Sequence, residues 1–142
     1  MDLTECKETG IVRITRIDSN FAHSLLEMSD IKEKTAKKAT LDNLNVNAYF
    51  PMAYDALREI LEAYCLLFGY KVGNHDCLGK LMKELLSTFD LFLFDRFRYV
   101  RNGINYYGKK VGLEEGNLLI EKMFLMKKEI VIELKKKLGE IK

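Results

Sequence analysis

Apolar positions three and four residues apart recur along most of the chain, and regular alternation is confined to one short stretch, which predicts an all-α domain. Asp18 or Ser19 can cap a first helix running to about Lys38, with Phe21, Leu25, Met28 and Ile31 on the face expected to meet the core. After the Asn-rich turn Leu41-Asp42-Asn43-Leu44-Asn45, a second helix begins near Asn47 and ends at Gly69. Pro51 lies close enough to its first turn to cost little. Ala53, Ala56, Leu57, Ile60, Ala63, Tyr64 and Leu67 make this helix apolar over much of its circumference, which predicts a central position. The turn Tyr70-Lys71-Val72-Gly73-Asn74 leads to a third helix from about His75 to Leu86, for which Asn74 is the expected cap. A fourth starts at Asp90 or a neighbour and runs to about Gly108 or Val111. A fifth, from Leu113 to about Leu138, repeats Leu119, Met123, Met126, Ile130 and Leu134 at helical spacing.

Short connections make an antiparallel bundle of four to five helices the expected architecture for residues 18–142. The alternating stretch from Gly10 to Ile17 has extended character, but a lone strand needs a partner. It is read as part of a short extended N-terminal arm covering residues 1–17.

A chain of 142 residues with 48% hydrophobic content can bury a core without disulfide or metal support. Its net charge of +2, with acids and bases mixed along the chain, gives no bulk attraction to nucleic acid or an anionic membrane, so any anion site must be local. Met1-Asp2-Leu3-Thr4-Glu5 lacks the basic and apolar regions of a signal peptide, and the apolar runs are too short to cross a bilayer. A soluble, cytoplasmic protein without a membrane partner is expected.

Cys6, Cys65 and Cys77 form no Cys-x-x-Cys pair and leave at least one thiol unpaired, which fits a reducing compartment. Cys65, in Ala63-Tyr64-Cys65-Leu66-Leu67, reads as a small buried apolar group. His23 and His75 have no cysteine or carboxylate at ligand spacing, so neither a metal nor a cofactor is expected. Asp55, Glu59 and Glu62, with Arg58 beside them, read as a solvated acidic edge, and the run from Lys32 to Lys38 as a solvated helix end. Phe92, Phe94, Met123, Phe124 and Met126 exceed what one small core needs, which favours a homodimer.

The fourth helix carries the candidate chemistry. With Arg101 at zero on a 3.6-residue wheel, Asn105 lies at about 40°, Arg98 at about 60°, Asn102 at about 100°, Asp95 at about 120° and Tyr106 at about 140°. Leu93, Phe97, Val100, Ile104 and Tyr107 occupy the far arc and belong to a core. Arg98, Arg101, Asn102, Asn105 and Tyr106 are therefore the candidate ligand-binding residues, with Arg101, Asn102 and Tyr106 the candidates for any catalytic part. Arg101 offers a planar fork to phosphate, Asn102 and Asn105 can bond a base edge or sugar, and Tyr106 can stack or donate. Beside this stands a structural reading, in which Arg98 pairs with Asp95 one turn away and Arg101 with a carboxylate elsewhere.

Two stretches resemble the HEPN superfamily, small helical-bundle proteins found as ribonuclease toxins, as partners of minimal nucleotidyltransferases and as nucleotide-binding modules. The first runs from Ala53 to Ala63 and on through Gly69-Tyr70-Lys71-Val72-Gly73-Asn74-His75. The second, Arg101-Asn102-Gly103-Ile104-Asn105-Tyr106-Tyr107-Gly108, is similar to the family's arginine, polar residue and histidine motif. The likeness spans roughly residues 46–138. It implies a dimer that places Arg101, Asn102 and Tyr106 of both copies around one cleft, able to bind a nucleotide or RNA phosphate.

In active members the motif ends in histidine, whereas Tyr106, Tyr107 and Gly108 stand here and no histidine follows Arg101. Attack by a ribose 2′-hydroxyl needs an acid and a base near pH 7, which imidazole supplies and a phenol does not. Binding without efficient catalysis is therefore the first expectation. A metal-independent endoribonuclease toxin curbed by a nucleotidyltransferase partner is the second, and an interaction scaffold using the arm from Ile11 to Ile17 is the third. His75 could substitute for the missing imidazole across a dimer, or make a structural hydrogen bond beside its helix cap.

Overall fold

In a computed structural model, which describes residues 1–141, the elements run α1 (Leu3–Glu8), β1 (Val12–Ile14), α2 (Ser19–Lys38), α3 (Val46–Leu67), β2 (Tyr70–Val72), α4 (His75–Leu85), α5 (Leu91–Tyr107) and α6 (Leu113–Glu140). This is an all-α bundle with one small sheet. The expected caps hold the helix starts. Asp18 accepts from the Phe21 N–H at 3.0 Å, Asn74 from Cys77 at 2.8 Å and Asp90 from Leu93 at 3.0 Å. Before α3, the Asp42 carboxylate accepts the N–H groups of Leu44 and Asn45 at 2.8 and 2.7 Å and folds the Asn-rich turn. Gly69 ends α3 in a left-handed conformation, φ +81°.

Helix α3 is central, as its all-round apolar sequence implies, and packs against α2, α4, α5 and α6. Phe50, Tyr54, Leu57, Ile60, Leu61 and Leu67 are fully enclosed, each contributing about 1.5–3 kcal/mol of burial if comparable to a Leu or Phe. Helix α2 meets α3 through a different face from the one expected. Phe21, Met28 and Ile31 are exposed, and Leu25 is only partly covered; the buried line is Ala22, Ser29 and Ala36. Small residues seven apart let the two helices approach closely, and the Ser29 hydroxyl donates to the Ala56 carbonyl at 2.5 Å. Large side chains therefore flank that contact.

The same approach changes the charged surfaces. Glu59 is buried and bonds Lys32 of α2 at 3.0 Å, while Arg58 pairs with Asp55 at 3.5 Å and Glu62 at 2.6 Å, so this flank is a partly buried ion-paired seam, three carboxylates against two cations, and not a solvated acidic edge. The α2 end is also engaged. Lys127 of α6, only 3% exposed, lies 2.8 Å from Asp30 and 2.7 Å from Glu33.

The first seventeen residues depart from an extended arm. They form α1 and then β1, which pairs antiparallel with β2 in the register Val12↔Val72 and Ile14↔Tyr70. Asp2 caps α1, accepting from the Glu5 N–H at 2.9 Å. Cys6 is joined to Cys77 by a disulfide across a sequence separation of 71. One of the three cysteines is left unpaired, as the count requires, but a disulfide between the other two removes the support for a reducing compartment. Cys65 is free and enclosed, as anticipated, with burial pushing its thiol pKa up.

Phe94, Met123, Phe124 and Met126 all lie in the core, and of the five residues that suggested a dimer only Phe92 is exposed, at 89%. Tyr107, expected on the core arc of α5, is exposed as well, because it sits at the last helical position, beyond the packing of the helix body. Among the described residues no helix is long and apolar enough to cross a membrane.

Candidate functional site

Helix α5 is set against α3 and α4 by Phe94 and Phe97, both fully enclosed. The Phe94 ring stacks on Tyr54 of α3, with centroids 5.9 Å apart and an interplanar angle of 18°. Tyr54 is thus the floor beneath the polar face of α5.

Arg101 lies over that floor. Its guanidinium carbon is 5.4 Å from the Tyr54 ring centroid and 5.2 Å from the Tyr106 centroid, within cation–π range of both. One guanidinium nitrogen donates to the Tyr106 hydroxyl at 3.0 Å and to Asn102 Oδ1 at 3.3 Å. Among the described residues no carboxylate pairs with it, and its Nε is buried without a partner. The charge of Arg101 is consequently held by aromatic faces and two neutral oxygens.

Arg98 is different. It bonds Asp95 at 3.3 Å, as the structural reading anticipated, and also Asp76 of α4 at 3.3 Å. Two carboxylates neutralise it, and Asp76 also accepts from Lys80 at 3.1 Å. Asn105 is exposed on the same face, and Tyr106 is 65% exposed, so its hydroxyl can turn from Arg101 to a ligand.

The five candidates divide around the helix. Arg98 and Asn102, with Tyr99, Tyr107, Lys109 and Lys110, line a cleft of about 650 Å³ beside the loop that leads into α6. An ion pair between Arg96 and Glu115 spans from α5 to α6 at this cleft. Arg101 and Tyr106 do not line it. Asn102 joins the two regions, since it faces the cleft and accepts from Arg101.

One residue at the site stands outside the arginine motif. His75, the first residue of α4, places Nδ1 3.0 Å from the Tyr54 hydroxyl, in the same chain as Arg101. Its role needs no second copy. Burial first, then the charges of Arg58 and Arg101, hold its pKa down to about 4, so the imidazole is neutral near pH 7. Burial likewise pushes the Tyr54 phenol far above its ordinary range, against the pull of Arg101, Arg98 and Arg58. No spacing rule relates Tyr54, Arg101 and His75, because each comes from a different helix. Only the turn between α3 and α4, which returns the chain beside Tyr54, could have hinted at it.

The arrangement offers one uncompensated guanidinium, a neutral imidazole, a phenol and two amides. It is suited to hydrogen-bonding an anion. Comparison with protein-family models, with curated proteins and with solved structures finds no match to this chain.

Proposed function

We propose that this protein binds a phosphate group of a nucleotide or of RNA at Arg101, in the manner of a HEPN-like domain and without efficient cleavage. The observation that carries this reading is the contrast between the two arginines one turn apart. Both leave a buried Nε without a partner, but Arg98 is ion-paired with Asp76 and Asp95, whereas Arg101 is held against Tyr54 and Tyr106 with no acidic partner among the described residues. A cation kept half-buried without a carboxylate stands ready for an external anion. Asn102, Asn105 and Tyr106 supply neutral donors for the sugar or base.

A homodimer remains part of the proposal, on different support from the buried Phe and Met residues. Phe92, Tyr99 and Tyr106 form an exposed row seven apart on α5, and Leu118, Leu125 and Ile132 form another on α6. Such rows suit a helix seam with a second copy.

Ribonuclease activity with a nucleotidyltransferase partner is the weaker reading. The imidazole beside Arg101 has its Nδ1 engaged by Tyr54 and a pKa near 4, which leaves no efficient base for a 2′-hydroxyl. The scaffold reading is weaker too, since the stretch it would use is already docked through β1 and Cys6.

Titration of the protein with 5′-AMP and with a short RNA tests the proposal. Arg101→Ala should weaken binding roughly tenfold to a hundredfold, the worth of hydrogen bonds to a charged group, and Arg98→Ala should weaken it less. Equal affinity of wild type and Arg101→Ala, or binding by neither, would remove it.

A further inference from the structure

Tyr54 is shared by Arg101 and His75. The guanidinium sits over its ring, and the imidazole meets its hydroxyl end, with ring centroids 5.5 Å apart. Tyr54 is wholly enclosed, so its O–H proton must be accepted within the protein. Among the described residues the acceptor at hydrogen-bond distance is His75 Nδ1, at 3.0 Å. A neutral imidazole that accepts at Nδ1 carries its own proton on Nε2. That Nε2 makes no bond within the described residues and is not one of the enclosed polar atoms lacking a partner, so it reaches solvent.

We infer that His75, locked by Tyr54 as the Nε2–H tautomer, is a second hydrogen-bond donor of the Arg101 site and donates to an oxygen of the phosphate that Arg101 holds. The inference rests on the reading of the site as a phosphate binder. It adds a residue from α4 outside the arginine motif and assigns it a fixed role as donor. Proton transfer is not involved.

The surroundings favour this role over a charged one. Around His75, Arg58 is occupied by Asp55 and Glu62, and Arg98 by Asp76 and Asp95, which leaves Arg101 as the uncompensated cation. A neutral donor beside one free guanidinium adds a directed bond without the repulsion that an imidazolium would bring. Tyr54 thereby acts as a positioning residue for both groups. The phosphate can belong to a free nucleotide or to the backbone of an RNA strand, since both present the same terminal oxygens.

Long-range nitrogen–proton NMR correlation on uniformly labelled protein reads the tautomer without any ligand. At pH 7 wild type should show the Nε2–H form, and Tyr54→Phe should show a mixture. On titration with 5′-AMP or with a short oligoadenylate, the His75 Nε2 and its proton should shift, and whichever probe binds more tightly identifies the source of the phosphate. His75→Phe should lose about tenfold in affinity, and His75→Gln, which keeps an amide donor, should recover part of it. An Nδ1–H tautomer in wild type overturns the inference. So does unchanged affinity in His75→Phe alongside weakened binding in Arg101→Ala, a result that leaves phosphate binding at Arg101 standing. Absence of binding to wild type, or affinity insensitive to both substitutions, overturns both.

Discussion

Gly79 of α4 lies against the ring of Phe94 of α5 so closely that a Cβ there would stand 2.8 Å from Cδ2 and 3.1 Å from Cε2. Phe94 in turn stacks on Tyr54, so this contact sets the depth of the floor on which Arg101 and His75 rest. Alanine would gain up to about 1 kcal/mol of helix propensity, while overpacking costs about 1–3 kcal/mol. Crowding wins because the ring is enclosed and Leu91 closes the other side, 2.9 Å from the same Cβ position. Gly79→Ala is expected to lower stability by up to about 2 kcal/mol and to weaken phosphate binding. Urea denaturation giving a variant as stable as wild type would contradict this.

Lys127 joins α6 to α2 from an almost enclosed position, bonded to Asp30 and Glu33. Asp30 is half exposed and Glu33 largely covered, so removing the lysine leaves chiefly the Glu33 carboxylate short of a partner, whereas an apolar side chain of similar length keeps the packing. Lys127→Ala should cost about 3 kcal/mol and Lys127→Met distinctly less. Similar losses in the two variants would show that the charge, and not the stem, holds the helices.

Stability should fall with acid in two separable windows. Burial, then Arg58 and Arg101, depress the His75 pKa from 6.5 to about 4. Between those values the unfolded chain takes up a proton that the folded chain refuses, so stability is greatest above the upper value and declines as pH falls toward the lower one. For Glu33, burial raises the carboxyl pKa, but hydrogen bonds and charges from Lys127 and Lys37 prevail, and the result lies below the usual 4.5. Its contribution is present above 4.5 and is lost as pH drops through the folded value. Unfolding midpoints measured from pH 8 to pH 3 should show His75→Gln flattening the upper window and Glu33→Gln only the lower one, on an order set by these shifts.

The Cys6–Cys77 bond closes a long loop and pins α1 and β1 to the start of α4. In the chain-entropy account a loop of this length is worth roughly 4 kcal/mol at most. Reduction, or Cys6→Ser, should therefore lower the unfolding midpoint, while Cys65 stays unreactive toward thiol reagents until the chain unfolds, being enclosed. Unchanged midpoints under reducing conditions would show that the sheet pairing alone holds the N-terminal segment.

Local signals in the chain are short-ranged, and they were legible. Asp18, Asn74 and Asp90 mark helix starts because a cap acts on N–H groups three residues away, and Gly69 marks an end because it accepts a left-handed backbone. The apolar circumference of α3 determined its central place, and helical geometry put Arg98, Arg101 and Asn102 within about 100° of one another on α5, although the structure divides them between two regions. What tertiary structure decided was which faces meet. Ala22, Ser29 and Ala36 made the α2 contact in place of Phe21, Met28 and Ile31, since close approach rewards small residues in a way that periodicity does not report. Arg98 found Asp76, Lys127 found Glu33, Cys6 found Cys77 and Tyr54 found His75 across separations that no residue spacing encodes. Each of those meetings depends on where whole helices are packed, and packing is settled by the sum of many burials distributed over the bundle.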